Sequence, residues 1–151
     1  MIALRERGQR KLHWHDESEA RRRKIAAAVA GLDVLHLVVI RTGCHASERS
    51  ERRRRKCLER LLLELEAAGV ADVCMEARER HQNDRDVDLL KTMRSRGSLS
   101  AGMRLDHAYG PSEPMLWIPD AVAGAVTAAR LGRPGHREQI EGALQEYVIG
   151  S

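Results

Sequence analysis

Apolar residues recur at helical spacing in two long segments of the chain. Residues 13–32 carry one apolar stripe, and Asp16, with Glu19 three residues later, predicts the N-terminal cap of a helix. Residues 48–69 carry a second stripe of leucines, and Gly69 predicts the helix stop. The members of the two stripes are Ile25, Ala28, Val29, Leu32, Leu58, Leu61, Leu62 and Leu65. Both segments are predicted to form helices that bury one face.

Shorter apolar runs predict strands. Residues 33–41 and 70–76 are nearly continuously apolar, which is typical of strands covered on both faces. Residues 103–109 alternate apolar and polar side chains, as a half-buried strand does. Because strands alternate with helices, we predict one α/β domain over residues 1–151.

Three further helices are predicted in the second half of the chain. A polar loop from residue 77 leads into a modest helix near 84–95. The next helix runs from about Pro119 to Leu131, with the proline in its first turn. Residues 137–149 are predicted to close the chain as an amphipathic helix through Ile140, Leu144 and Val148.

The composition narrows the class of partner. Residues 1–60 hold 16 basic and 8 acidic side chains, whereas residues 61–151 hold 10 and 14. The basic half indicates a polyanion such as nucleic acid. With two Trp, two Tyr and no Phe, duplex or backbone contacts are favoured over stacking on single strands.

Three cysteines without CxxC spacing fit a cytoplasmic location. No apolar run approaches the roughly 18 residues of a membrane span, so we expect no membrane partner.

The second predicted helix has a basic face opposite its leucines. Five cations lie on this face when successive residues are turned by about 100°: Arg49, Arg52, Arg53, Lys56 and Arg60. Such a face attracts phosphates by releasing counterions, with little reading of base sequence. The alternative is an ordinary solvated helix surface.

Four residues are candidates for chemistry. Glu76 ends a predicted strand, at the edge where open α/β sheets place their ligands. Asp120 stands among apolar and small residues near a helix start, where it is either a site residue or an N-terminal cap. Asp84 is a site residue or the cap of the helix behind it. His107 is a candidate proton carrier.

Several segments together resemble a known family. GQRKLHW, the Arg/Leu-rich helix, the strand ending in Glu, a DR pair, DH and EPMLWIPDAVAGAV look like uncharacterised actinobacterial proteins of the DUF three-eight-hundred group, over roughly residues 4–132. The resemblance implies a ribonuclease-H-like layered sheet with flanking helices. It implies Mg²⁺ or Mn²⁺ held by Glu76 and Asp120, with Asp84 on the DR pair and Glu17 as a looser match.

These relatives open with a strand carrying an Asp-Glu-Ser motif and a hairpin before GQRKLHW, whereas here Met1 stands just before that segment. We therefore expect a fragment, an alternative start or an N-terminally shortened natural form that lacks its first carboxylate. The absent strand is expected to expose a sheet edge, through which two copies would pair as a homodimer.

Two functional hypotheses follow. The leading one is a divalent-metal-dependent phosphodiester hydrolase, or a degenerate relative of such a nuclease, in which His107 assists the leaving group. The alternative is a non-catalytic module for nucleic-acid binding or oligomeric assembly that uses the basic helix 49–60.

Overall fold

The computed structural model describes residues 1–5, 8–43, 45 and 47–150. Its contacts gather in two compact units. Unit 1 contains Met1–Val38 and Tyr109–Gln145, and unit 2 contains Val39–Ala108 and Glu146–Ser151. Helices and strands are mixed along the chain, so the predicted α/β class is confirmed. Within the described ranges, no helix combines the length and apolar character needed to cross a membrane.

The helices and strands are α1 (Glu19–Ala30), β1 (His36–Arg41), α2 (Ser50–Ala67), β2 (Asp72–Glu76), α3 (Arg80–Ser95), β3 (Arg104–Ala108), α4 (Trp117–Arg130), α5 (Gly135–Ile140) and β4 (Leu144–Ile149). Over the described residues these strands form two sheets of two strands each, β1 with β4 and β2 with β3.

Unit 1 is built on α1, α4 and α5. Its buried apolar residues are Leu12, Trp14, Ile25, Ala26, Val29, Trp117, Ile118, Ala121, Val122, Ala125 and Ile140. Ser18, not Asp16, caps α1: its hydroxyl accepts from the Arg21 N–H at 3.4 Å. The prediction of Asp16 was wrong because that residue lies in a separate 3₁₀ turn, Trp14–Asp16, which ends before α1 begins.

Gly124 allows the side chain of Trp14 to approach the backbone of α4 closely. A Cβ atom built on Gly124 would lie 2.1 Å from Cδ1 of Trp14. The indole of Trp14 therefore rests directly on the backbone of α4, and Arg22 lies 5.7 Å from the centre of the same ring. A glycine inside a helix costs about 1 kcal/mol relative to alanine, and here it makes room for a buried tryptophan.

Unit 2 packs α2 and α3 on one face of the β2–β3 sheet. The two strands are parallel, with Val73 opposite Leu105 and Glu76 opposite Ala108. Val73, Met75 and Leu105 contact the core, but Cys74 on the other face is exposed. The prediction that residues 70–76 are covered on both faces was therefore wrong within this unit.

The leucine stripe of α2 is confirmed. Leu58 and Leu62 are buried in the unit 2 core. Gly69 has φ +78°, its N–H donates to the Glu66 carbonyl, and the Val70 N–H donates to the Leu65 carbonyl, each at 2.9 Å. This pair of bonds is a Schellman motif, so the predicted stop at Gly69 is confirmed.

Helix α3 begins at Arg80, four residues before the predicted start. The side chain of Asn83 fixes the preceding loop, because its Oδ1 accepts from the Arg78 N–H at 2.9 Å. Asp84 consequently lies inside the helix with an exposed side chain. The interpretation of Asp84 as the helix cap was wrong, since Glu79 occupies the N-cap position.

The predicted helix 137–149 was also wrong. α5 ends at Ile140, and Leu144–Ile149 forms β4 beside β1. Gly142 weakens a helix at this point, while the run Tyr-Val-Ile at residues 147–149 favours a strand. Pairing with β1 therefore outweighs the helical spacing of three apolar residues.

Candidate functional site

Glu48 lies at the centre of a basic cleft in unit 2, which we name the Glu48 cleft. Only 10% of its side chain is exposed. Arg41 donates two hydrogen bonds of 3.0 Å to its carboxylate. The Arg52 Nε and Lys56 Nζ atoms lie 3.5 and 3.9 Å from Oε1. Arg49 also lines the cleft, so four cations face one carboxylate.

The Glu48 cleft is large and strongly positive. Its volume is about 780 Å³, and His45 and Ser47 complete its lining. With His45 neutral, four cations and one carboxylate leave a formal charge of +3. Such a concave positive surface concentrates anions near it.

A second cleft, the Arg85 cleft, lies between α2 and α3. Its volume is about 450 Å³. Its charged residues are Arg52, Arg54, Arg55, Arg85, Glu51, Asp86 and Asp88, which give a formal charge of +1. Arg52 lines both clefts. The two clefts and the helix face between them therefore form one continuous surface of unit 2, here called the basic surface.

The structure modifies the predicted set of phosphate-binding residues. Arg49, Arg52 and Arg53 are exposed, as predicted. Arg60 instead donates to Glu64 at 2.5 Å and lies 5.3 Å from the centre of the Tyr147 ring, so its guanidinium already has partners within unit 2. Lys56 is half-buried and belongs to the Glu48 cleft.

Sequence reasoning missed four cations that line the two clefts: Arg41, Arg54, Arg55 and Arg85. Arg55 belongs to the same arginine run and lies just outside the predicted helix face, which was drawn too narrowly. Arg85 lies on α3, and no spacing in the sequence reveals that α3 packs beside α2.

Asp86 is a buried carboxylate of unit 2 that contacts two arginines and a histidine. It is 4% exposed. Arg54 donates two hydrogen bonds to it, at 2.5 and 3.0 Å, and Arg78 approaches both oxygens at 3.5 Å. Burial alone raises the pKa of Asp86, but the hydrogen bonds and charge of Arg54, followed by His107, lower it below its usual range.

His107 belongs to this network. Its Nε2 lies 3.3 Å from Oδ2 of Asp86, and only 11% of its side chain is exposed. The sequence singled out His107 but not Asp86. Asp86 shares a helix face with Leu89, Leu90 and Met93, which are buried, so a helix traced from Arg80 would have placed it inside.

Glu76 is the last residue of β2 and is half-buried, at the carboxyl end of a parallel pair as predicted. Alternation along the strands puts its side chain on the face of Cys74 and Asp106, opposite the face of Met75 and His107. The structure therefore joins His107 to Asp86 and not to Glu76.

Asp120 ties α4 to the segment before α1. Its Oδ2 accepts from the backbone N–H of Trp14 at 2.9 Å, and Nδ1 of His13 lies 3.8 Å from the same oxygen. The side chain is 41% exposed and lines a cleft of about 520 Å³ in unit 1. Asp120 thus holds a distant backbone amide, a contact that neither the cap nor the ligand interpretation foresaw.

Glu17 is a buried structural acid in unit 1. Gln9 donates to one of its oxygens at 2.6 Å, and the Arg21 Nε donates to the other. Burial raises the pKa of Glu17, but the hydrogen bonds from Arg21 and Gln9 lower it below its usual value. Both oxygens therefore have partners within the unit.

The predicted metal ligands are divided between the two units, Glu76 in unit 2 and Asp120 with Glu17 in unit 1. Among the residues that the structure describes, no three His, Cys, Asp or Glu side chains are grouped as metal ligands. The binding of one Mg²⁺ or Mn²⁺ ion by Glu76 and Asp120 stays a prediction.

Comparisons with protein-family models, curated protein sequences and solved structures return no significant match to this chain.

Proposed function

We propose that the protein binds nucleic acid through its backbone phosphates, using the basic surface of unit 2. The observation that carries this proposal is the position of Arg52, which lines both clefts and so connects the cations of α2 with Arg85 of α3. Phosphate groups lie at regular intervals along a duplex, and a continuous band of cations contacts several of them at once.

The charge of this surface is not neutralised within the unit. Within the described ranges, four exposed cations of the surface take part in no ion pair: Arg49, Arg53, Arg55 and Arg85. The residues that line the two clefts include no Phe, Tyr or Trp side chain. The surface therefore supports phosphate contacts without base stacking, which gives affinity with little sequence preference.

Fluorescence anisotropy with a labelled duplex of mixed sequence tests the proposal. The logarithm of the binding constant should fall linearly with the logarithm of salt concentration, and Arg52→Gln should reduce that slope by about one. Arg96→Gln is the matched control, because Arg96 is exposed at the end of α3 and lines neither cleft. Equal slopes for the two variants, or no binding by the parent at low salt, would reject the proposal.

A second candidate is a ribonuclease-H-like, divalent-metal-dependent phosphodiester hydrolase, in which phosphate binding serves cleavage. The favouring observation is that Glu76 and Asp106 lie on one face of parallel neighbouring strands, with Glu76 at the carboxyl end of β2. Carboxylates at such an edge suit Mg²⁺, which keeps several waters and needs few protein ligands.

Cleavage of RNA, DNA and hybrid duplexes in Mg²⁺ or Mn²⁺ tests this second candidate. The parent should cleave at least one substrate, while Glu76→Gln and Asp120→Asn should each lose the metal-dependent rate. Parent-like cleavage by either variant would remove that residue from the site. Salt-sensitive binding without cleavage at any metal concentration would reject the hydrolase and support the binding function.

Pairing of two copies through a sheet edge also stays a prediction. Each described sheet has two strands, so every strand presents an edge without a strand partner in that sheet. Light scattering measures the mass in solution, and a monomer mass at micromolar concentration would reject the homodimer.

A further inference from the structure

The Glu48 cleft differs from the rest of the basic surface in its charge balance. Four cations are arranged around one carboxylate, whereas in the Arg85 cleft three carboxylates stand among four cations. Glu48 is nearly buried and restrains Arg41 by two hydrogen bonds. Arg52, with 69% of its side chain exposed, and Lys56, with 37%, remain open to a ligand.

The Glu48 cleft lies at the beginning of α2, because Arg49, the residue before this helix, lines it. Arg49 is the N-cap residue, and its side chain makes no capping hydrogen bond. The positive end of the dipole of this 18-residue helix favours an anion beside Arg49.

We propose that the Glu48 cleft binds a phosphate monoester, either at the end of a nucleic-acid strand or on a free nucleotide. The cleft carries a formal charge of +3. An internal phosphodiester brings one negative charge, whereas a monoester brings about 1.5 to 2 charges at pH 7 and three acceptor oxygens. The monoester therefore uses more of the cations in the cleft. In its strand-end form, this inference rests on the proposed nucleic-acid binding.

The experiment compares two duplexes of identical sequence, one with 5′-phosphates and one with 5′-hydroxyls. The parent should bind the phosphorylated duplex about tenfold more tightly, as one or two added charge-assisted hydrogen bonds provide. Lys56→Gln should abolish this ratio. Arg85→Gln, which alters only the other cleft, should weaken binding of both duplexes and leave the ratio unchanged. Far-UV circular dichroism confirms that both variants fold.

A third arm distinguishes the two sources of the phosphate. Calorimetric titration of the parent with a nucleoside 5′-monophosphate, and with the nucleoside as control, measures binding of the free group. If the parent binds the monophosphate, Lys56→Gln does not, and neither protein binds a duplex, the result would support the monoester site in the Glu48 cleft. It would overturn the proposed nucleic-acid binding. Equal, salt-sensitive binding of the two duplexes and no monophosphate binding would overturn the proposed monoester site. The proposed nucleic-acid binding would then still stand.

Discussion

The guanidinium of Arg54 holds the carboxylate of Asp86 with both terminal nitrogens, Nη1 to Oδ1 at 2.5 Å and Nη2 to Oδ2 at 3.0 Å. This planar, bidentate pair joins α2 to α3 and fixes their relative rotation. Because Arg54 turns inward, its neighbours Arg53 and Arg55 are left exposed. This partly buried ion pair thus separates Arg54 from the exposed cations of the arginine run.

Replacing Asp86 by alanine should destabilise the protein by about 3 kcal/mol, because Arg54 and Arg78 would lose a buried counter-charge. Urea denaturation followed by far-UV circular dichroism measures this loss. The control is Asp88→Ala, which removes an acid whose side chain is 71% exposed and should change stability by no more than about 0.5 kcal/mol. Equal effects of the two substitutions would contradict the role given to Asp86.

The buried stripes that define α1 and α2 were predictable from sequence, because helical periodicity directly reports burial. The end of the chain was not. Ile140, Leu144 and Val148 fit a helix, yet Leu144–Ile149 pairs with β1, over a hundred residues away in sequence. Local spacing contains no information on such a partner, so tertiary pairing overrode it.

The candidate site was also predictable only in part. The exposed arginines of α2 followed from helix geometry, and Glu76 does end a strand. The partners of His107 and Asp120 did not follow, because both are set by tertiary packing: Asp86 approaches His107 from α3, and the Trp14 amide reaches Asp120 across 106 positions. Which side chains meet is decided by packing that a single sequence does not display.

Gly124→Ala should destabilise unit 1 although alanine favours helices. The added Cβ would lie 2.1 Å from the indole of Trp14, and forcing the ring away should cost about 1–3 kcal/mol, more than the gain of about 1 kcal/mol in helix propensity. Tryptophan fluorescence in urea measures the change, since Trp14 and Trp117 both belong to unit 1.

Gly135→Ala is the control for this substitution. Gly135 opens α5, and a Cβ there would have no heavy atom within 4 Å. Its stability should equal or exceed that of the parent. A Gly124→Ala protein at least as stable as Gly135→Ala would show that Trp14 does not rest on α4.

Acidification should lower the free energy of unfolding, because His36 becomes protonated more readily in the unfolded chain. Burial lowers the pKa of His36 below its ordinary value of 6.5, and its Nε2 has no hydrogen-bond partner among the described residues. The unfolded chain therefore binds a proton at higher pH than the folded chain does. The stability from this group is complete above about pH 6.5 and is lost as the pH falls towards the folded pKa, by at most about 1.4 kcal/mol per pH unit.

Urea denaturation between about pH 8 and pH 5 separates His36 from the other histidines. His36→Gln, which stays neutral, should show a smaller loss of stability over this range than the parent. Parallel curves for the two proteins would show that the protonation of His36 is not coupled to folding.

Two substitutions of Asp120 separate its structural contact from its charge. Asp120→Asn keeps an oxygen that accepts from the Trp14 N–H, so its stability should stay within about 0.5 kcal/mol of the parent. Asp120→Ala removes the acceptor and leaves that amide unpaired, which should cost about 1–2 kcal/mol. Urea denaturation followed by tryptophan fluorescence measures both values. If the alanine variant unfolds at the same urea concentration as the parent, the hydrogen bond between Asp120 and the Trp14 N–H does not contribute to stability.

The asparagine variant also tests the charge of Asp120. If it is as stable as the parent but loses metal-dependent cleavage, the carboxylate charge itself is required, because the fold and this hydrogen bond are then unchanged.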